Sequence, residues 1–442
     1  MANSRKSSLA DLANDVVTVL PAGSSILVGL SGGVDSVVLL NLLHDLAPRF
    51  SWKISAMHVH HGISPHADDW SKFCVDLCAG LGIAVTVKRV DIAPLHAHGV
   101  EAAARKLRYA AFAEEFCDYV VLAHHQDDQA ETLLLQLLRG SGIKGASAMP
   151  MVSDGCASQK IVRPLLHCTR DEILEYAHER SLQWIEDESN EDVYYPRNFL
   201  RHRLFPMLEK KFPAYRETLS RSTEHFAEAS ELLDDLASMD GKDAISGSTL
   251  RMDALKSLSH VRAKNLLRHF LHRMNAPMPQ AVQIDEMLHQ LLTARNDADV
   301  CIEFGGWQMR RFRGVAHVFL RQAEFDPDYV LAWQGEARLV WPATGMLINF
   351  LQSTGQGMSL AKLRSAPVAF RLRRGGEALR PAPRSAIRSL KNLFQEHGIP
   401  PWQRDRLPLL YCGDELVCVL GVAIAVEYQC KEGEAGMRLE MG

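Results

Sequence analysis

Two short stretches of this 442-residue chain gather residue types suited to phosphate chemistry. The first is LVGLSGGVDSVVLL, residues 27–40. An apolar run leads into Ser31-Gly32-Gly33-Val34, and a second apolar run follows Asp35-Ser36. Glycines permit positive φ and let backbone N–H groups approach an oxyanion closely. Ser31 and Ser36 add hydroxyl donors, and a helix departing near Asp35-Ser36 adds unpaired N–H groups and its dipole. The result is a phosphate cradle. Asp35 inside it would repel a bare anion, so its presence implies Mg²⁺ bridging carboxylate to phosphate. The pattern is neither the dinucleotide fingerprint nor Walker A, since no Lys follows the glycines.

The second stretch is LAHHQDDQAET, residues 122–132. Asp127 and Glu131 stand four apart, as do Asp128 and Thr132, so a helix here concentrates oxygen ligands at its start. Asp128 is the candidate for a second metal contact. His124 and His125 are candidates for nucleotide or substrate, or for structural hydrogen bonding. Histidine beside carboxylate also suits zinc, but hard oxygen ligands next to a phosphate loop favour Mg²⁺. Arg105 and Arg108 lie three apart, where two forked donors would help neutralise a departing pyrophosphate. His58, His60 and His61, in HVHHG, are candidates for proton transfer.

These residues need a scaffold that brings them to one edge. Apolar runs at 24–30, Lys53–Val59, Ile83–Val90 and Asp118–Ala123 read as strands. Helical patterns alternate with them at Val37–Leu46, His66–Ala79, Glu101–Phe116 and Asp127–Leu138, after an opening helix at 8–20. Continuous apolar strands alternating with helices indicate a parallel α/β sheet covered on both faces. In such sheets ligands bind at the carboxyl edge of the strands. The Gly- and Ser-rich segment 139–160 reads as a surface excursion or a lid, and Thr169–Arg180 as a helix.

Charge marks the remaining organisation. Residues 195–216 carry six Lys/Arg and one Glu, and residues 217–240 carry seven acids and one Arg. The reversal places a boundary near residue 215. The expected domains are 1–215; a mainly helical 216–330; a linker or mixed segment, 331–365; and a small α+β domain, 366–442. Residues 361–404 hold ten Lys/Arg and two Glu, a local +8 that could meet nucleic acid despite a net charge of −4. Its arginines sit beside Trp402, an aromatic suited to stacking on unpaired bases or to covering a small core. Nine cysteines, widely spaced and with no Cys-x-x-Cys, do not form a disulfide framework. No signal peptide or 18-residue apolar span is apparent, so a cytoplasmic location is expected.

SGGVDS resembles the pyrophosphate-loop signature of the ATP pyrophosphatase superfamily. HVHHG, EAAARKLRY (101–109), LAHHQDDQAETLLLQLLRGSG (122–142), RPLL (163–166), WIEDESNEDVYYPRNFLRHRLFP (184–206) and IPPWQRDRLPLL (399–410) resemble one branch of it, the tRNA(Ile)-lysidine synthase family. The resemblance implies a Rossmann-like N-terminal domain, a helical middle domain and a small α+β C-terminal domain. It implies ATP as substrate with Mg²⁺ at Asp35 and Asp128, and Ser31, Gly32, Gly33, Val34, Ser36, Arg105, Arg108 and Arg197 on the nucleotide. Asp35, Asp128 and Arg105 would be catalytic. His58, His60, His61, His124, His125 and Glu131 would be candidates for substrate contact or proton transfer. The implied partners are an isoleucine tRNA with a CAU anticodon and free L-lysine. The tRNA would meet Asn198, Arg201, Arg371, Arg373, Arg374, Arg380, Arg384, Arg388, Lys391, Trp402 and Arg404. The implied reaction adenylates C2 of cytidine 34, then replaces AMP with the lysine amine. Rivals are a tRNA thiolation enzyme of the same superfamily and a non-catalytic tRNA-binding protein. A homodimer is the default for a soluble enzyme.

Overall fold

The computed structural model describes residues 16–92, 100–155, 159–295 and 298–441. Most of the expected opening helix, and Cys156, lie outside them. The chain divides into two compact units, Met1–Leu236 and Ala237–Gly442.

The first unit is built on a six-stranded sheet. Its strands are β1 (Ser25–Gly29), β2 (Lys53–His60), β3 (Ala84–Arg89), β4 (Tyr119–Val121), β5 (Val152–Asp154) and β6 (Lys160–Val162). Their spatial order is β3-β2-β1-β4-β6-β5, parallel except for β5. The α/β class read from the strand–helix rhythm is therefore borne out. The antiparallel β5 edge arises inside the segment expected as a lid or excursion, where a three-residue strand is too short to show in the pattern.

β1 is central, pairing with β2 through Ser25↔Lys53 to Gly29↔Met57 and with β4 through Ile26↔Tyr119 to Val28↔Val121. Alternation along it feeds two cores. Ile26 and Val28 pack against α1 (Val34–Phe50), α2 (Ala67–Leu81) and α5 (Arg170–Glu179), while Leu27 packs with Phe112 of α3 (Val100–Ala113). α4 (Gln126–Leu138) follows β4. Because β2 and β3 lie to one side of β1 and β4 to the other, the chain reverses its winding between β1 and β4. That is the topological switch point, where the loops leaving adjacent strands diverge and open a crevice. Residues 31–36 leave β1 there and residues 122–128 leave β4.

The second unit contains helices His260–Arg273 and Ala281–Thr293 over an antiparallel sheet that ends with Cys301–Phe304, Trp307–Phe312 and Val315–Leu320. Residues 331–365, expected as a linker or mixed segment, include strands Arg338–Trp341 and Met346–Thr354. Trp341, Ile348 and Phe350 share one core with Phe370 and Leu409. Their apolar residues come in short alternating runs, which obscures the pattern. No described helix is long and apolar enough to cross a membrane.

Candidate functional site

The loop after β1 is held from three sides. Gly32 sits at φ +92°, a conformation that favours glycine. A Cβ there would lie 2.6 Å from Ile185 Cδ1 and 3.3 Å from Cys74 Sγ. The Ile185 N–H donates to Gly32 O at 2.9 Å. Inside the loop the Gly32 N–H donates to Ser36 Oγ at 3.2 Å, and the hydroxyls of Ser31 and Ser36 lie 3.1 Å apart. Gly32→Ala meets both the φ and the contact, so we expect it to weaken nucleotide affinity at least tenfold in a direct titration. An unchanged affinity would show that the loop tolerates the displacement.

His58, expected at a proton-transfer position, lies beneath this loop. Its Nδ1 is 2.9 Å from Leu30 O, with Cys74 Sγ 3.4 Å away, and burial lowers its proton affinity. A neutral ring donating from Nδ1 fixes the end of β1. We expect His58→Asn, which places an amide N–H near the Nδ1 position, to retain more nucleotide affinity than His58→Leu. Equal losses in the two variants would remove this role. His60 is buried, 3.3 Å from Asp68.

Across the crevice, Asp128 accepts from the His125 N–H at 3.0 Å, reaching back over the start of α4 as a capping residue does. His125 is 1% exposed and lies among three carboxylates. Its Nε2 is 3.8 Å from Asp35 Oδ1 and 3.5 Å from Asp128 Oδ2, and its Nδ1 is 3.6 Å from Asp127 Oδ2. Although burial disfavours its charge, Asp128, Asp127 and Asp35 raise its pKa. Asp35 Oδ1 is buried without a hydrogen-bond partner, and burial raises that carboxyl against the pull of His125 and Arg170. Asp128 is lowered despite its burial, chiefly by His125 and His124.

Behind Asp128, the fully buried Glu131 accepts from Arg201 at 2.8 Å and lies 3.2 Å from Arg197 Nε. Burial pushes its carboxyl up to about 7, opposed by Arg201 and Arg197. Arg201 also approaches Asp128 at 3.7 Å, and Arg197 donates to Thr132 at 3.2 Å. The structure thus gathers Asp35, His125, Asp128, Glu131, Arg197 and Arg201.

Other expected site residues stand apart from that group. Arg105 and Arg108 are exposed on α3, with Arg105 packed over Tyr109. Their positive charges reach His124 and His61 respectively, and burial with these charges lowers those histidines to about 3 and about 4. Asn198 is buried and donates to Asp192 O at 2.9 Å.

The basic C-terminal residues are more engaged than their count suggests. Arg371, Arg373, Arg374 and Arg388 pair with Asp414, Asp405, Asp328 and Glu396. Three of those acids lie outside the 361–404 window. Arg404 donates to Ile399 O at 2.8 Å, Arg380 is half-buried, and Arg384 and Lys391 are exposed. Trp402 is half-buried, stacked 6.0 Å from Phe319 and edge-on to Phe312 and His317, with Arg310 over its ring at 5.6 Å. These contacts engage its ring within the protein. Arginine beside an aromatic reads the same way in either role.

Arg170 and Arg216 were missed by the sequence reading. Arg170 Nη1 lies 3.6 Å from Asp35, and Arg216 Nε donates to Asp127 at 2.5 Å. Each opens a helix, Arg170–Glu179 and Tyr215–Gly241, where a cation opposes the helix dipole. That mismatch is the signal that could have found them.

Comparison with known proteins places this geometry. Family models match in chain order: a PP-loop domain over residues 2–208, the TilS substrate binding domain over 250–317, and the TilS substrate C-terminal domain over 368–441. A tRNA(Ile)-lysidine synthase of Nitrosomonas europaea is 42% identical over 417 residues, covering 94% of this chain and 91% of the relative. The chain belongs to the tRNA(Ile)-lysidine synthase family. Another member, from Coxiella burnetii, is 35% identical over 428 residues, covering 96% of this chain and 95% of its own. Both cover the two units together, so the family relation extends beyond the PP-loop domain, which itself carries ATP binding.

Proposed function

We propose that the crevice between β1 and β4 is where a tRNA base is adenylated, with release of pyrophosphate, and where the lysine amine then attacks its C2 and displaces AMP. The chain is an ATP-dependent ligase of its family, joining L-lysine to C2 of cytidine 34 in an isoleucine tRNA with a CAU anticodon. One observation carries the site assignment: Asp35 and Asp128, arriving from adjacent strands, both approach His125 Nε2. In this reading residues 1–215 bind ATP and carry the chemistry, while 216–330 and 366–442 contact tRNA.

The donor set fits Mg²⁺. Asp35 Oδ1 is a buried oxygen without a hydrogen bond, and the described residues contain no group of three or more His, Cys, Asp or Glu that could cage a metal. Mg²⁺ characteristically takes one or two carboxylates and completes its shell with phosphate and water. Asp35 and Asp128 would hold it, and when bound it stabilises negative charge on the phosphoryl oxygens. Ser31, Gly32, Gly33 and Ser36 bind the pyrophosphate, because the serine oxygens that accept from the loop N–H groups can give way to phosphate oxygens. Arg170 and Arg201 lie close enough to offset charge on the departing pyrophosphate.

A poor electrophile, the pyrimidine C2 becomes reactive once its oxygen is part of an AMP leaving group. The lysine amine, with a free pKa of about 10.4, must shed a proton to attack. Among the candidates, His58, His61 and His124 are weakened as bases by burial. The proton affinity of His125 is raised by its carboxylates against its burial. Glu131 is pushed up to about 7, but it is fully buried and held by Arg201 and Arg197.

The test incubates protein with bulk tRNA, Mg²⁺, ATP and labelled lysine, followed by nucleoside digestion. Label on cytidine is expected. Pyrophosphate release without label would retain adenylation and remove lysine as the nucleophile.

A further inference from the structure

Within the first unit, the segment that follows Ile185 is anchored on both sides of the crevice and carries an aromatic ring left exposed. It begins at the phosphate loop, where the Ile185 N–H donates to Gly32 O at 2.9 Å. It ends on α4, where Arg197 donates to Thr132 at 3.2 Å and Arg201 to Glu131 at 2.8 Å. Arg201 leaves from Leu200–Leu204, a π-helical turn, and such widened turns occur frequently at functional sites. Between the two anchors, Tyr194 is 86% exposed.

The backbone beneath that ring is fixed although the ring is not covered. The Tyr194 N–H donates to Asp192 Oδ1 at 2.9 Å, and Asp192 O accepts from the buried Asn198. Pro196 then opens the short helix Pro196–Phe199. Three residues of chain span at most about 11 Å, so Tyr194 stays close to Arg197 and to the crevice that Arg197 reaches. Its ring contact among the described residues is edge-on with Tyr195, at 5.9 Å, and one such contact covers at most one of its two faces. Trp402, by contrast, meets three rings and Arg310. Charge narrows what the exposed ring could receive. Residues 181–196 contain Glu186, Asp187, Glu188, Glu191 and Asp192 and no Lys or Arg. Four of these acids are exposed, and such a surface repels phosphates. What it accepts from a nucleic acid is the face of a base, not the backbone.

Chemistry on a base requires that base to leave its stack, which uncovers the face of its neighbour. We propose that Tyr194 stacks on that neighbour, the adenine that follows cytidine 34 in the CAU anticodon, and so holds the loop open while the cytidine occupies the crevice. The proposal rests on the ligase reading for the identity of the RNA. A purine offers a large face, and tyrosine a rigid ring with little conformational freedom to lose. Tyr194 is thereby a positioning residue, touching the RNA beside the reacting base and not the reacting atoms.

Binding of isoleucine tRNA with the CAU anticodon would be measured across a salt series for Tyr194→Ala, Tyr194→Leu and Tyr194→Phe. The same RNA lacking the base at position 35 serves as a second ligand. The Ala and Leu variants are expected to bind about tenfold more weakly, and the Phe variant within about twofold of the parent chain. Their log–log salt slopes should match the parent's, because no phosphate contact is lost. The abasic RNA should bind the parent chain about tenfold more weakly as well, and Tyr194→Ala should cost nothing further with it. An exposed ring contributes little to the fold, so all three variants should melt with the parent. Parent-like binding by the Ala and Leu variants would overturn the proposal. So would a Phe variant as weak as Ala, a shallower salt slope, or an equal loss with the abasic RNA. If labelled lysine failed to enter cytidine but this binding pattern held, the ligase reading would fail while the stack stood.

Discussion

Asp35→Asn should reduce tRNA-dependent pyrophosphate release by at least about a thousandfold while raising the melting temperature of the free protein. The loss follows from removing the charge that faces Asp128 across His125. The gain follows from burial, which raises the Asp35 pKa despite His125 and Arg170. A carboxyl with a raised folded-state pKa favours its neutral form. Its stabilising contribution is full below the unfolded value and is lost as pH rises through the folded value. At neutral pH the native chain therefore bears the cost of a poorly solvated carboxylate, which asparagine lacks. The difference in melting temperature should shrink as the pH falls towards 4. A variant that melts lower at pH 7 and yet releases pyrophosphate would contradict both halves.

Glu131 should separate charge from hydrogen bonding. Glu131→Ala removes the acceptor for Arg201 and the neighbour of Arg197 from a fully buried position. Two partly buried guanidiniums then lose a partner, and a small void forms. We expect a cost of about 3 kcal/mol in denaturant unfolding. Glu131→Gln retains an oxygen for Arg201 without the buried charge and should lose much less. With the native carboxyl raised from 4.5 to about 7, its contribution to stability is full below 4.5 and falls as pH rises through 7. Glu131→Gln should flatten that part of the stability–pH curve. Equal costs for the Ala and Gln variants, with the same pH slope, would show that the acceptor has no special role.

The scaffold was legible because its signals are local and repeated. Ile26, Val28, Val120 and Val121 belong to short apolar strands between amphipathic helices, and that pattern leads to one sheet topology and one crevice. The loop and the start of α4 were legible for the same reason, since SGGVDS and HHQDDQAET are contiguous. Partnerships between distant segments were less visible. His58 reads as a free imidazole until the fold brings Leu30 O to its Nδ1, and nothing near Ile185 announces its bond to Gly32. The +8 count over 361–404 likewise leaves out Asp328, Asp405 and Asp414, which reach in from outside the window.

Those acids have a consequence for how RNA would arrive. Arg371, Arg373 and Arg374 come with counterions already attached to the chain. In the proposed tRNA-contacting role, a phosphate that took Arg373 would displace Asp405, which would swing aside but stay tethered. Fewer mobile ions would then leave the contact per arginine, and the salt dependence from this face would be shallower than ten cations predict. Random polyanions would gain little from such an exchange. An RNA whose shape engaged several of these arginines together would gain more, so the paired surface would discriminate by fit where a bare one would bind by charge.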